Sequence, residues 1–303
     1  MDIQALADRT VLVTGGAGFI GSQIAKSLAN VADVRVLDNL SSGDPGRVPA
    51  EATLIEGDIR ETATVETAMA GVDTVFHQAG MVSVPESVER PQACHATNGT
   101  ATLQLLTEAR REDARFVFAS SAAIYGQPDS VPVPEDAPKR PNSPYGIEKL
   151  AGDQYVRMYA DRYGLPAVAL RYFNVYGPQQ GHNQYAGVIR TFFEQARSGG
   201  PITVEGDGQQ TRDFVHVDDV VRANLLAATS DARGTAFNVG TGRSTTIEEL
   251  ARTVRAVTDS DAEVTHTDPR PGDIRHSRAD IDRIAERLGY EPQLSLRSGL
   301  ETV

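Results

Sequence analysis

Tyr145 and Lys149 stand four residues apart in a stretch of helical character, Tyr145–Tyr163, so their side chains share one face. A free tyrosine has a pKa of about 10, too high for an efficient base near neutrality. A neighbouring ammonium, or any other close cation, favours the phenolate and lowers that value. Ser121 lies just past an apolar run, Arg115–Ala119, and offers a hydroxyl that could orient a substrate oxygen. On its own, a Tyr-x3-Lys pair is usually a solvated helix face. It gains meaning only beside a second site.

That second site is Thr14-Gly15-Gly16-Ala17-Gly18-Phe19-Ile20-Gly21. Gly15, Gly18 and Gly21 are spaced GxxGxxG where a predicted strand meets a predicted helix. Glycine permits the turn and a close approach of backbone to pyrophosphate, and phosphates suit the free N–H groups of a helix start. A structural turn would look similar in isolation. The flanking strand and helix, together with Asp38, favour a dinucleotide site. Asp38 ends the second predicted strand, where an acid holds a ribose 2′-hydroxyl and repels a 2′-phosphate. Asn39, Leu40, Ser41 and Ser42 supply no cation, so NAD rather than NADP is the expected cofactor. Asp58-Ile59 is read either as an adenine contact or as a turn aspartate.

The elements that must position these residues alternate. Thr10–Thr14, Asp33–Leu37, Thr53–Ile55, Thr74–His77, Arg115–Ala119 and Ala167–Arg171 read as short buried strands. Helical stretches fall at Phe19–Asn30, Glu61–Ala70, Thr97–Arg111 and Tyr145–Tyr163. This points to an α/β fold, a Rossmann-type doubly wound parallel sheet. After Phe173 the pattern loosens. Pro178–Asn183 and Gly199–Pro201 are loop-like and Gly206–Thr211 a turn. Helices are expected over Val217–Thr229 and Ile247–Val257, and a strand over Ala236–Val239. The expected division is an NAD-binding domain, 1–172 with 214–240 returning to it, and a smaller mixed α/β substrate-binding lobe, 173–213 and 241–303.

Composition narrows the function. The 303 residues carry 41 acidic and 29 basic side chains, a net charge of -12, which argues against a general nucleic-acid binder. One cysteine, Cys94, excludes an intramolecular disulfide and fits a reducing cytoplasm. No run approaches the ~20 apolar residues of a membrane span. The beginning, Met1-Asp2-Ile3-Gln4, lacks a signal-peptide pattern. The histidines, His77, His95, His182, His216, His266 and His276, form no ligand spacing, so no metal is expected. Asp218-Asp219 are expected to cap the helix that follows them.

Several motifs then occur together: TGGAGFIGS (14–22), VFHQAG (75–80), SSAAIYG (120–126), Tyr145-Gly-Ile-Glu-Lys149, RYFNVYGP (171–178), GDGQQTRDFVHVDD (206–219), FNVGTG (237–242) and RPGDIRHS (270–277). In this order, over nearly the whole chain, they resemble the extended short-chain dehydrogenase/reductases, and among them the nucleotide-sugar 4-epimerases acting on UDP-glucose or UDP-N-acetylglucosamine. The resemblance implies that Tyr145 is the base and acid, that Lys149 lowers its pKa and holds the nicotinamide ribose, and that Ser121 binds the sugar 4-hydroxyl. The implied cofactor contacts are Gly15, Gly18, Phe19, Ile20, Gly21, Asp38, Asn39, Ser42, Gly43, Asp58, Ile59, Gln78, Ala79, Tyr145, Lys149 and Tyr172. Asn174, Arg212 and Arg270 would meet the substrate diphosphate, with guanidiniums suited to paired phosphate oxygens, and Asp273 is a further implied substrate-binding residue. Ion pairing is the alternative for each arginine. Ser83, with Val84, resembles a sugar-contacting loop. Val188 and Phe192, on a predicted helix, would line a uridine pocket, with core packing an equal account. A homodimer follows by analogy.

Two positions refine the subtype. Ala122 and Ala123 stand where related dehydratases carry Asp-Glu and related decarboxylases a glutamate, so elimination lacks its positioned acid. Ser277 falls at a gatekeeper position, and a small side chain there leaves room for a 2-N-acetyl group. The open alternatives are another nucleotide-sugar enzyme of the same scaffold and a silent NAD-binding regulator.

Overall fold

The computed structural model describes residues 3–180, 187–270 and 272–303. His182 and the end of the Pro178–Asn183 loop lie outside the described residues. The first half alternates strand and helix: β1 Thr10–Thr14, α1 Phe19–Leu28, β2 Asp33–Asp38, β3 Thr53–Glu56, α2 Thr62–Met69 and β4 Thr74–His77. It continues with α3 Val84–Glu89, α4 Pro91–Cys94, α5 Ala101–Arg111, β5 Arg115–Ser121, α6 Pro144–Tyr163 and β6 Ala167–Tyr172. The second half holds β7 Asn174–Tyr176, α7 Val188–Ser198, β8 Ile202–Glu205, β9 Thr211–Arg212, β10 Phe214–His216 and α8 Val217–Thr229. It closes with β11 Thr235–Val239, β12 Thr245–Thr246, α9 Ile247–Val257, β13 Val264–Thr267, α10 Asp282–Leu288 and α11 Leu296–Leu300.

Seven parallel strands form the main sheet in the order β11-β6-β5-β4-β1-β2-β3. Side chains alternate across each strand, and both faces are covered. Val11, Val13, Val117 and Val168 meet α1 and α8 on one face, while Leu12, Phe116 and Phe118 meet α5 and α6 on the other. This is why the strands read as unbroken apolar runs. A third core, with Ile189, Phe193, Val204, Leu250 and Val254, sits between α7, β8 and α9. Beside it β7 pairs with β10 and β8 with β13, both parallel, and β9 with β12, antiparallel. Strand β11 joins the main sheet beside β6 even though it follows β7–β10 in the chain.

The helix expected over Thr97–Arg111 differs. It begins further back at Pro91 and passes through one wide turn, His95–Thr100, before α5. Such turns open where a side chain has other work. Here Asn98 reaches across to clasp Met81, accepting from its N–H (2.7 Å) and donating to its carbonyl (2.8 Å).

The capping expectation for Asp218-Asp219 is corrected. His216 is the cap of α8, its Nδ1 accepting from the Asp218 N–H at 3.2 Å. The Asp219 carboxylate is buried and accepts from the N–H groups of Gln293 and Leu294 instead, fastening the C-terminal segment. A helix start tolerates acids for its dipole, but the cap belongs to the residue whose acceptor reaches the free N–H.

Candidate active site

The strand order turns between β1 and β4, and ligands of open parallel sheets bind beyond the carboxyl ends of the strands at that point. The glycine loop leaves β1 there. Gly15 has φ +68, and a Cβ on it would sit 2.7 Å from the Ala79 nitrogen. A Cβ on Gly21 would run into the Gly15 carbonyl. Gly18 takes the cap position of α1 with no side chain closing it, so the Phe19 and Ile20 turn keeps its donors and positive dipole end for an anion. These cradle features fit a dinucleotide pyrophosphate.

Asp38 closes β2 beside this loop. Its buried carboxylate accepts from the N–H groups of Ala17 (3.0 Å) and Leu40 (2.9 Å). The Asp44 N–H donates to the Ala17 carbonyl at 3.0 Å, which folds Ser42 and Gly43 back toward the same aspartate. Asp58 is already occupied. The Arg60 guanidinium grips it at 2.9 and 2.6 Å and Asn39 donates to it at 2.9 Å. Arg60 holds the Asp58 carboxyl far below the usual carboxylate range. The sequence suggested no cation near Asp38; Arg60 arrives from beyond β3, neutralised by Asp58. The Ile59 side chain is buried with Leu37 and Val65.

The three expected catalytic residues converge. Ser121 ends β5, and its hydroxyl accepts from the Ala123 N–H at 3.1 Å, capping the short turn that contains Ala122 and Ala123. The Tyr145 phenol lies near enough to the Ser121 side chain for that hydroxyl to favour the phenolate. Ser143 caps α6 through the Gly146 N–H at 3.1 Å with Pro144 at the first position, a strong helix start. The Tyr145 N–H also donates to Ser87 Oγ at 3.2 Å. Lys149 is buried, 5.9 Å from the centre of the Tyr145 ring, and its amine donates to the Ala119 carbonyl at 2.8 Å.

Burial pushes the Lys149 amine down to about 8. Burial also pushes the Tyr145 phenol up, with the nearby Ser121 hydroxyl acting against it. The protein alone therefore keeps the phenol protonated. The expectation that Lys149 lowers it is not what this geometry displays, because the amine is turned to Ala119.

Gln78 and Tyr172 meet on the crevice floor. The Gln78 amide donates to the Tyr172 hydroxyl (3.1 Å) and to Asn224 Oδ1 (3.2 Å), and the Asn224 amide donates to Tyr172 at 2.8 Å. Asn224 comes from α8 and had no signal in the sequence. Burial pushes the Tyr172 phenol well up, so it stays a neutral donor. Buried His77 bridges the hydroxyls of Thr14 (2.8 Å) and Thr102 (2.9 Å), and burial lowers it to about 3. It is a neutral strut, the structural role expected.

The residues expected to meet substrate are more dispersed. Ser83 is buried and caps α3 through the Glu86 N–H at 3.1 Å. The Asn174 amide donates to the Asp213 carbonyl at 3.0 Å. Arg212 pairs with Asp273 and donates to the Ile274 carbonyl at 2.6 Å. Arg270 pairs with Glu205 at 3.1 Å with its side chain 65% exposed. The ion-pair alternative thus describes both arginines as they stand here. Ser277 is half-buried, its N–H donating to the Thr211 carbonyl at 3.1 Å. Phe192 lies in the third core with Val188 packed against it, so packing is what the structure displays for the pair.

Sequence reasoning missed Asp213, the tie of this region. Its buried carboxylate accepts from the Thr241 N–H (2.8 Å) and hydroxyl (2.7 Å) and from the N–H groups of Gly242 and Ala279, both 3.0 Å. One side chain thereby joins the segment of Arg212, the FNVGTG turn and the stretch after Ser277. Its only prior signal was the acid inside TRDF.

A sequence profile of the NAD dependent epimerase/dehydratase family matches residues 11–240. The chain belongs to this family. Its relatives are the nucleotide-sugar 4-epimerases of the extended short-chain dehydrogenase/reductases, and NAD is the family's cofactor. A UDP-glucose 4-epimerase of Thermotoga maritima, solved with UDP-glucose, is 41% identical and superimposes with a TM-score of 0.93 over 96% of either chain. A UDP-N-acetylglucosamine 4-epimerase of Methanobrevibacter ruminantium, solved with UDP-N-acetylmuramic acid, is 38% identical, TM-score 0.93, over 98% of this chain and 97% of that one. The UDP-glucose 4-epimerase of Thermus thermophilus, solved with NAD, is 38% identical, TM-score 0.89, over 97% of both chains. The family's sheet and its order along the chain match the Rossmann-type architecture expected from the sequence.

Proposed function

We propose that this protein inverts C4 of a UDP-hexose, UDP-glucose/UDP-galactose and also their 2-N-acetyl counterparts, through a transient 4-keto sugar. The observation that carries this reading is the convergence of Ser121, Tyr145 and Lys149 at the carboxyl edge of the sheet beside the glycine cradle. Tyr145 removes the proton of the sugar 4-hydroxyl and later returns it. Ser121 holds that oxygen. Lys149, at about 8, is mostly cationic near neutrality and favours the phenolate when its amine turns from Ala119 toward Tyr145. NAD, when bound, supplies the hydride acceptor and donor for C4 and a positive ring that further favours the phenolate. Gly15, Gly18, Gly21 and Asp38 would hold it, together with Gln78 and Tyr172.

Arg212, Arg270 and Asn174 keep the diphosphate anchored while the keto sugar turns its other face. Residues 1–172 with 214–240 carry the cofactor, and 173–213 with 241–303 carry the nucleotide sugar. Ala122 and Ala123 leave dehydration without an acid. Ile147, Tyr155 and Met158 are exposed apolar residues on α6, which supports a homodimer through that helix. The single buried Cys94 supports a reducing cytoplasmic home. The test is a panel of UDP-sugars followed by NMR with no added cofactor. Interconversion of the C4 epimers is expected. No inversion of any UDP-sugar, or stoichiometric consumption of added NADH, would overturn the reading.

A further inference from the structure

Beneath the catalytic residues lies a buried ion pair with no assigned task. Arg171 and Asp153 are 1% and 0% exposed. The Arg171 fork donates from Nε (2.8 Å) and Nη2 (3.0 Å) to the two Asp153 oxygens. Its Nη1 donates to the Tyr125 hydroxyl (2.9 Å) and the Glu135 carbonyl (2.7 Å), and Tyr125 passes a hydrogen bond to Asn238 at 2.7 Å. Asp153 also accepts from Ser120 Oγ and Arg157 Nε, both at 3.2 Å.

The places of these residues matter more than their number. Tyr145, Lys149 and Asp153 follow at steps of four along α6, so they share one helix face. Ser120 immediately precedes Ser121 on β5 and lies in register with Arg171 on β6. Tyr125 ends the turn that Ser121 caps. Desolvating an ion pair seldom stabilises a fold more than apolar side chains of the same volume would, so stability alone is a poor reason for it. What the pair does supply is direction: a rigid fork aimed at one carboxylate orients both elements.

We propose that Arg171 and Asp153 are positioning residues of the reaction: they lock α6 to the end of β5 and so set the contact between Ser121 and Tyr145. The proposal rests on the function proposed above. It is tested with Asp153→Leu combined with Arg171→Met, which replaces the pair by apolar side chains, and with Ser120→Ala, which removes one hydrogen bond and leaves the pair. Turnover, KM, bound NAD and a crystal structure of each variant are measured.

A displacement of this kind costs about 100-fold in turnover. The double variant is expected to lose that much kcat, with KM and bound NAD near wild type and the Tyr145 phenol displaced from Ser121. Ser120→Ala is expected to lose severalfold in kcat alone. A folded double variant with wild-type kcat and the contact intact overturns the proposal. If the double variant does not fold, wild-type kcat in Ser120→Ala overturns it. Should the unmodified protein invert no UDP-sugar, the proposed function fails by itself, and the Ser121–Tyr145 contact in the variant structures still decides the positioning.

Discussion

The glycine-lined crevice and the second lobe, proposed to hold the nucleotide sugar, are built on different terms. In the crevice, the shape is made by backbone and by what is absent: three glycines, an uncapped helix start, and an aspartate pinned by two N–H groups. In the lobe, the groups that would grip a diphosphate are long charged side chains engaged with carboxylates, Arg212 with Asp273 and Arg270 with Glu205. Substrate must compete with those partners. A reaction that keeps one ligand through every cycle and exchanges the other has use for such a difference.

Three changes would break or sharpen this contrast, in falling order of effect. Gly15→Ala places a Cβ against the Ala79 nitrogen at a φ of +68, a double strain. Purified Gly15→Ala should carry little NAD, and activity without added cofactor should fall by about 100-fold or more, a misplacement effect. Absorbance and fluorescence of extracted cofactor would show it, and a full NAD complement would mean the cradle is not where the pyrophosphate lies.

Arg212→Ala should leave NAD in place and raise KM for UDP-sugars by roughly 10- to 100-fold, the worth of a charge-assisted hydrogen bond to phosphate. A steady-state titration separates this from a loss in kcat, and an unchanged KM would reduce Arg212 to a surface ion pair. Ser277→Tyr should be the mildest: a few-fold loss on UDP-glucose and a larger one on UDP-N-acetylglucosamine. Equal losses on both sugars would remove Ser277 from the choice of substrate.

How much of this could be read from the chain follows the same division. The strands of the main sheet were legible because both faces are covered, so each is a short apolar run, as in Thr10–Thr14. The glycine loop, Asp38 and the Tyr145–Lys149 spacing were legible because each is a local pattern. What escaped depends on distant partners. Gln78 meets Asn224 across 146 residues, and Arg60 reaches the Asp38 end only because β3 lies beside β2. Strands β8 and β13 pair over some sixty residues of chain and give no local sign. His216 took the cap of α8 from the acids after it because its ring nitrogen, and not one of their carboxylates, faces the free N–H. The ionisation of Tyr145 was also beyond the sequence. A lysine four residues away suggests a lowered phenol, whereas burial raises it and the amine faces Ala119.

The central claim is that one phenol moves the proton while a retained NAD carries the hydride. Tyr145→Phe removes the hydroxyl and leaves the ring, so the variant should hold as much NAD as the unmodified protein and lose about 1,000-fold or more in C4 inversion, within the range for removing a general acid–base group. Inversion by Tyr145→Phe at the unmodified rate, with NAD still bound, would contradict the account.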